Sequence, residues 1–201
     1  MARFGYLSKI LPGKADIVRE HWKNKQVTKD LTTQAQAAEI SFWTHLAMPG
    51  FESWLQPNPQ GNFMIHCLEG DSLEKIFKGL REKITEKNPI ALGLQSFYLN
   101  VFGKDYSLPE AKPRIECVQD TIVSSITPEK VLKKAFFFPL LKHKEKEHRQ
   151  FRKEAMGEKR ERHEASMRAF GVSRLTVWLQ EDALGKNMIV YTERKCDISM
   201  P

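Results

Sequence analysis

Residues 54–65 read WLQPNPQGNFMI, and residues 178–189 read WLQEDALGKNMI. The two segments share the opening Trp-Leu-Gln, a central glycine and the closing Met-Ile, all at a constant offset of 124 residues. Repeated sequence units usually correspond to repeated folding units. The two segments therefore predict an internal duplication, and this duplication guides the interpretation of the rest of the chain.

The two copies lie among the same expected elements. A helical stretch precedes each motif, at 35–47 and 153–170, and Gly50 and Gly171 are expected to end these helices because glycine readily adopts a positive φ. Strand-forming residues and a turn follow, and the return strands are expected at 62–68 and 186–193. Each copy is therefore predicted to fold as helix, strand, turn, strand.

An apolar strand is expected ahead of each helix. Residues 4–11 supply it in the first copy, where a turn at 12–14 leads into a helix from residue 15. Residues 135–141, AFFFPLL, supply it in the second copy. Pro139 within that run indicates an edge strand or a bulge, because proline cannot donate a ladder hydrogen bond.

The first copy continues beyond its hairpin. Asp71 is expected to cap an amphipathic helix over 72–87, followed by a short helix at 90–102 and a strand at 114–123. The first copy is therefore predicted to be βαββαβ. The second copy is expected to lack the last helix and strand, because the sequence ends at Pro201, soon after the third strand of that copy.

Two such units suggest two sheets, each with one face under helices, that pack through their open faces. Several short sequence motifs resemble those of a known superfamily. They are residues 10–14 (ILPGK), 88–90 (NPI), and His163-Glu164 with Gly171-Val172. They resemble an uncharacterised family of the dimeric α/β-barrel superfamily, internally duplicated in one chain. The resemblance implies an α+β fold with two ferredoxin-like βαββ(αβ) repeats packed as an intrachain dimeric α/β-barrel.

The expected division of the chain follows from this fold. The first ferredoxin-like repeat is placed at 1–123, a linker at 124–134, and the second, truncated repeat at 135–201. Because the second repeat lacks a fourth strand, its open edge is expected to be covered by the linker or by a partner chain. A homodimer is the predicted assembly.

Composition limits the class of protein. The chain has 201 residues, of which 41% are hydrophobic, enough for a sizeable core. It contains no apolar run long enough to span a membrane and no signal-peptide core, so we expect a cytoplasmic location and no membrane partner. The three cysteines, Cys67, Cys117 and Cys196, are widely spaced and indicate neither a disulfide framework nor a zinc site.

The net charge of +7 raises the question of nucleic acid as a partner. Residues 142–162 contain nine Lys or Arg, but five Glu are interspersed among them, and no aromatic residues alternate with the basic ones. A surface that stacks on bases would need such aromatics. A solvated helix face held by i,i+4 ion pairs is therefore predicted, and nucleic-acid binding is not.

Candidate site residues lie on the predicted hairpins, because the chain has no phosphate loop, no metalloprotease motif and no nucleophile elbow. Side chains alternate along a strand, so Trp54 shares a face with Gln56, and Asn62 shares one with His66. We expect these four to line a cavity on the sheet face away from the helices. Trp178 and Gln180 are the equivalent ligand-binding candidates in the second copy. Their repetition also fits a structural role.

His66 occurs in only one copy, because the equivalent position holds Val190. Its imidazole could act as a base near neutral pH or bind haem iron. A hydrogen-bonded core histidine is the alternative. His66 and Asn62 are the candidate catalytic residues, while no motif indicates a metal site or identifies a cofactor.

Three functions are compatible with the sequence. The resemblance implies a monooxygenase-like enzyme, because several such enzymes use a barrel pocket lined by Asn, Trp and His without a metal, or bind haem. The second is a non-catalytic ligand-binding barrel, and the third is an assembly protein with an exposed sheet edge. A small-molecule pocket is predicted first, and the sequence does not decide whether the protein is an enzyme.

Overall fold

The computed structural model describes residues 1–27, 33–123, 131–182 and 185–195. Within them the chain is α+β, with seven strands and six α-helices. The elements up to residue 113 are β1 (Ala2–Lys9), α1 (Ala15–Val27), α2 (Thr33–His45), β2 (Gly50–Asn58), β3 (Gly61–Gly70), α3 (Leu73–Thr85) and α4 (Pro89–Phe102). Those after it are β4 (Ile115–Ile122), β5 (Val131–Pro139), α5 (Glu145–Met156), α6 (Arg160–Ala169), β6 (Val172–Asp182) and β7 (Gly185–Lys195).

The strands form two sheets, with the orders β1-β3-β2 and β4-β6-β7-β5. The repeated motif forms an antiparallel hairpin in each, β2–β3 and β6–β7. Trp54 pairs with Ile65 in the first hairpin, and Trp178 pairs with Ile189 in the second. Both members of each pair are displaced by the same 124 residues, so the two hairpins have the same register.

The backbone conformation repeats as well. Gly61 and Gly185, at equivalent turn positions, have φ of 126° and 107°. At the ends of the preceding helices, Ala47 and Gly171 have φ of 49° and 64°. We predicted that Gly50 ends the helix before the first hairpin, which is α2. This assignment is wrong, because the positive φ falls on Ala47 and Gly50 already belongs to β2.

The duplication extends to the first strand of each copy. The amide of Ile10 donates to the carbonyl of Asn62 at 2.9 Å, and the amide of Leu140 donates to that of Lys186 at 2.8 Å. Asn62 and Lys186 are again 124 residues apart. The strand before each helix therefore meets the return strand of its hairpin in the same way.

The open edge of the second hairpin is covered by β4. This strand pairs with β6 in antiparallel register, from Ile115 opposite Gln180 to Ile122 opposite Arg174. We expected the linker or a partner chain there, and the structure instead uses the fourth strand of the first predicted repeat. Of the predicted linker, residues 124–130 lie outside the described residues, and 131–134 begin β5. The edge position expected from Pro139 is confirmed, because β5 is the last strand of its sheet.

The chain divides into two compact units. The first comprises residues 1–4 and 8–113, and the second comprises residues 5–7 and 114–201. The sequence-based division placed the boundary at residue 123. The boundary between the compact units lies at residue 113, because β4 pairs with β6 and so belongs to the second unit, and the division into repeats stays a prediction.

Helix α3 has the amphipathic character predicted for it. It buries Ile76, Phe77 and Leu80 in the core of the first unit. Its cap differs from the prediction, because the hydroxyl of Ser72, and not Asp71, accepts the amide of Lys75 at 3.1 Å. A serine at this position satisfies an amide that the helix itself leaves without a partner.

The helical region of the second unit is interrupted. Gly157, with φ of −109° and ψ of −108°, separates α5 from α6, whereas a single helix was expected over 153–170. The expected i,i+4 pairing is present, for example between Arg160 and Glu164 at 2.7 Å and between Arg149 and Glu145 at 2.9 Å. Among the described residues, none of the helices is both long enough and apolar enough to cross a membrane.

Candidate functional site

The strand register separates the four hairpin residues that we expected in one cavity. Trp54 pairs with Ile65, the residue before His66. Paired residues share a sheet face and successive residues alternate, so Trp54 and Gln56 lie on one face, and Asn62 and His66 lie on the other. Trp54, Gln56 and Asn62 are each half-buried. The four residues therefore do not converge on one side of the sheet.

His66 lies on the helix side of its sheet and is fully buried. Its ring centroid is 5.6 Å from that of Tyr98 and 5.7 Å from that of Phe102, both on α4, and 6.0 Å from that of Phe51. Burial, with a smaller contribution from the charge of Lys104, lowers the pKa of His66 from 6.5 to about 3. The imidazole is therefore neutral at physiological pH and is a weak base.

This environment does not fit haem ligation. An axial ligand needs an imidazole nitrogen that is open to the iron, whereas the side chain of His66 has no exposed surface and aromatic rings stand around it. Within the part of the chain that the structure describes, no three His, Cys, Asp or Glu side chains lie close enough together to hold a metal ion.

Trp178 and Gln180 are almost fully buried, with 1% and 2% of their surfaces exposed. The side-chain amide of Gln180 donates to the carbonyl of Leu7 at 3.0 Å and to the carboxylate of Asp182 at 2.9 Å. Its oxygen accepts the amide of Leu7 at 2.7 Å. The protein itself uses these polar atoms, so a ligand could reach them only by breaking buried hydrogen bonds. Their placement agrees with the structural role that the repetition suggested.

A pocket of about 660 Å³ lies in the first unit, between the end of α2 and the start of β2. It was not predicted from the sequence. We call it the Trp43 pocket, and its principal lining residues are Glu39, Ile40, Trp43, Met48, Phe51 and Asp71.

The local sequence explains how the pocket forms. Glu39 and Trp43 are four residues apart, so they lie on the same face of α2, and the indole N–H of Trp43 donates to a carboxylate oxygen of Glu39 at 3.2 Å. The chain turns at Ala47 through its positive φ and enters β2 at Gly50. This reversal brings Phe51 to the pocket wall, with its ring 6.5 Å from that of Trp43 and inclined by only 9°.

Phe51 connects the pocket to the interior. Its ring contacts Trp43 on the pocket side, and the ring of His66 lies 6.0 Å away on the buried side. The predicted candidate His66 therefore lies behind the pocket wall. Neither Trp43 nor Phe51 was among the residues predicted from the sequence, because the two meet across a reversal that we had placed at Gly50.

No protein-family model matches this chain. No curated protein and no solved structure matches it significantly. The chain's own residues and geometry therefore carry the functional interpretation.

The second unit has a charged depression of about 290 Å³, which is a weaker candidate. Its charged side chains include Glu116, Glu145, Arg149 and Lys186. Arg149 forms a two-pronged pair with Glu116 and a further pair with Glu145, and Lys186 also binds Glu145. Because these charges neutralise one another, they offer less to a ligand than the Trp43 pocket does.

Proposed function

We propose that this protein binds a small organic molecule in the Trp43 pocket without catalysing a reaction on it. The observation that carries the proposal is the pair of nearly parallel rings, Trp43 and Phe51, in the wall of a 660 Å³ pocket. Small-molecule sites typically have volumes of about 300–1,000 Å³, with mainly apolar linings and a few polar groups. Ile40 and Met48 supply further apolar surface, and Glu39 supplies a polar group.

The state of His66 favours binding over catalysis. A general base works best when its pKa lies near the working pH and its nitrogen can reach the substrate. A fully buried imidazole with a pKa of about 3 meets neither condition. The monooxygenase-like activity implied by the superfamily resemblance gains no support from this side chain and stays a prediction.

The proposal includes the finer fold, two ferredoxin-like repeats of the dimeric α/β-barrel type in one chain. The equal hairpin registers support it, as does the strand order β1-β3-β2, which recurs as β5-β7-β6. The pairing of β4 with the edge of β6 adds no support, because β4 is the fourth strand of the first predicted repeat and its place in the other sheet leaves the first sheet with three strands. Self-association stays a separate prediction, which light scattering tests.

Binding can be tested with 2-phenylethanol, a neutral aromatic probe. The chain has four tryptophans, so its amide NMR spectrum should contain four indole N–H signals, and Trp43→Phe identifies that of Trp43. Titration with the probe should shift the Trp43 signal and leave those of Trp22, Trp54 and Trp178 in place.

The controls are aromatic substitutions. Phe51→Ala should weaken the response of Trp43, whereas Phe170→Ala, at a ring that is 65% exposed in the second unit, should not. If 2-phenylethanol and charged aromatic probes all leave the Trp43 signal unmoved, the proposal is wrong. If the Trp54 or Trp178 signal moves instead, the probe binds near that tryptophan, and the Trp43 pocket is again the wrong site.

A further inference from the structure

We infer that the ligand of the Trp43 pocket is an organic cation, a protonated amine or quaternary ammonium carried on an apolar body. The inference rests on the proposed function, because it names the chemical class of the molecule that this pocket would take. It follows from the combination of aromatic walls with acidic side chains at the pocket.

The aromatic walls favour a positive charge. The face of an aromatic ring is electron-rich, and a cation within about 6 Å of the ring centroid is attracted to it, most strongly at tryptophan. Trp43 and Phe51 both contribute rings to the wall. The apolar side chains of Ile40 and Met48 provide contact area for the body of the ligand.

The carboxylate of Glu39 strengthens the same preference. It is half-buried and is oriented by the indole N–H of Trp43 at 3.2 Å. A cation near Trp43 would therefore also lie close to a fixed negative charge. Asp71 is a second acid at the pocket, but it is exposed and already pairs with Lys75 at 3.4 Å, so Glu39 is the principal anionic group.

The positive charges of the protein are weaker influences. Lys75 is exposed and already paired with Asp71 at 3.4 Å, so its charge is partly neutralised and is screened by solvent. The net charge of +7 belongs to the whole chain and would by itself favour anions. A preference for cations would therefore be a property of the pocket and not of the protein's overall charge.

Three probes of the same shape test the inference, namely 2-phenylethylamine, 2-phenylethanol and 3-phenylpropionate, which are cationic, neutral and anionic at neutral pH. Dissociation constants are read from the Trp43 indole signal. We expect the amine to bind roughly 5- to 30-fold more tightly than the alcohol, the range that cation–π and ion-pair contributions of about 1–2 kcal/mol produce. The anion should bind most weakly.

Two matched variants locate the source of the preference. Glu39→Gln should reduce the ratio of amine to alcohol affinity at least severalfold, because only the amine loses a partner of opposite charge. Glu110→Gln removes one negative charge at an exposed position outside the pocket and should leave the ratio unchanged. The remaining amide signals report whether each variant is folded.

The outcomes separate the two proposals. If the alcohol shifts the Trp43 signal and binds as tightly as the amine, the pocket is a ligand site, but the inference of a cation is wrong. Tighter binding of 3-phenylpropionate would overturn it in the same way. If none of the three probes affects the Trp43 signal, the proposed function itself fails. An amine preference that survives Glu39→Gln would contradict the role assigned to Glu39.

Discussion

The indole ring of Trp178 lies directly against the backbone of Gly5 within the second unit. A Cβ atom built on Gly5 would be 2.4 Å from Cε3 of Trp178, closer than side-chain carbons approach one another. Trp178 is 1% exposed, and its strand β6 is held between β4 and β7. The ring therefore has little room to withdraw, and the close approach requires a residue without a side chain at position 5.

Gly5→Ala should destabilise the protein. The added methyl group must displace the indole ring or the strand that carries it, and overpacking of this kind typically costs about 1–3 kcal/mol. Denaturant unfolding measures the loss. Gly93→Ala is the control, because no atom apart from its chain neighbours and the nearby backbone of its own helix lies within 4 Å of a Cβ at this position, and alanine favours a helix by up to about 1 kcal/mol. Equal effects of the two substitutions would show that the close contact with Trp178 does not cause the loss of stability.

Gln180→Leu should also destabilise the protein, for a different reason. Leucine has a similar size but leaves the buried amide and carbonyl of Leu7 without the hydrogen bonds that Gln180 provides. An unsatisfied buried group costs about 1–3 kcal/mol, so we expect a loss of roughly 2–5 kcal/mol and faster hydrogen exchange at the Leu7 amide. Gln150→Leu, at an exposed position, should change stability by less than about 0.5 kcal/mol. Unchanged exchange at Leu7 would contradict the assigned role.

The local part of the fold could be predicted from the sequence. The motif that begins at Trp54 and recurs at Trp178 predicted two hairpins, and their registers repeat at the same offset. Turn residues and alternating side chains fix a hairpin over short distances along the chain, so short sequence patterns contain the necessary information. Pro139 indicated an edge strand for a similarly local reason, the missing amide hydrogen.

Long-range relationships were not predictable in the same way. Nothing in the sequence of β4 indicates that it pairs with β6 across more than 50 residues, and this pairing places β4 in the second compact unit. The candidate site shows the same limit. His66 and Trp54 were assigned to one cavity because strand periodicity was known but register was not, and Phe51 was missed because its contact with Trp43 depends on where the helix ends.

Ala47→Gly should stabilise the protein. Ala47 has a φ of 49°, and the equivalent residue of the second repeat is already a glycine, Gly171, with φ of 64°. A left-handed conformation costs alanine about 1 kcal/mol or more, and glycine avoids this cost but gains entropy in the unfolded chain. We expect a net gain of roughly 0.5 kcal/mol in thermal or denaturant unfolding. Ala38→Gly, inside α2, should instead lose about 1 kcal/mol. A loss at both positions would mean that Ala47 does not adopt the left-handed conformation.

His66 should make the stability of the protein depend on pH. Its pKa is about 3 in the folded protein and near 6.5 in the unfolded chain, so between these values the unfolded state binds more protons. The contribution of His66 is therefore fully present above pH 6.5 and is lost as the pH falls towards 3. The expected slope from this residue is about 1.4 kcal/mol per pH unit. Denaturant unfolding at several pH values measures it.

His66→Val isolates this contribution, because valine is the residue at the equivalent position of the second repeat. At neutral pH the variant should be less stable by roughly 1–2 kcal/mol, since it loses the ring contacts with Tyr98 and Phe102. Between pH 6.5 and about 5 its stability should fall less steeply than that of the unsubstituted protein. Burial also lowers the pKa of His148 and His163, but both remain in the variant and cancel in the comparison. If the stabilities of the variant and the unsubstituted protein change in parallel over this range, His66 accepts a proton in the folded state. The assignment of a neutral, buried imidazole behind the Trp43 pocket would then be wrong.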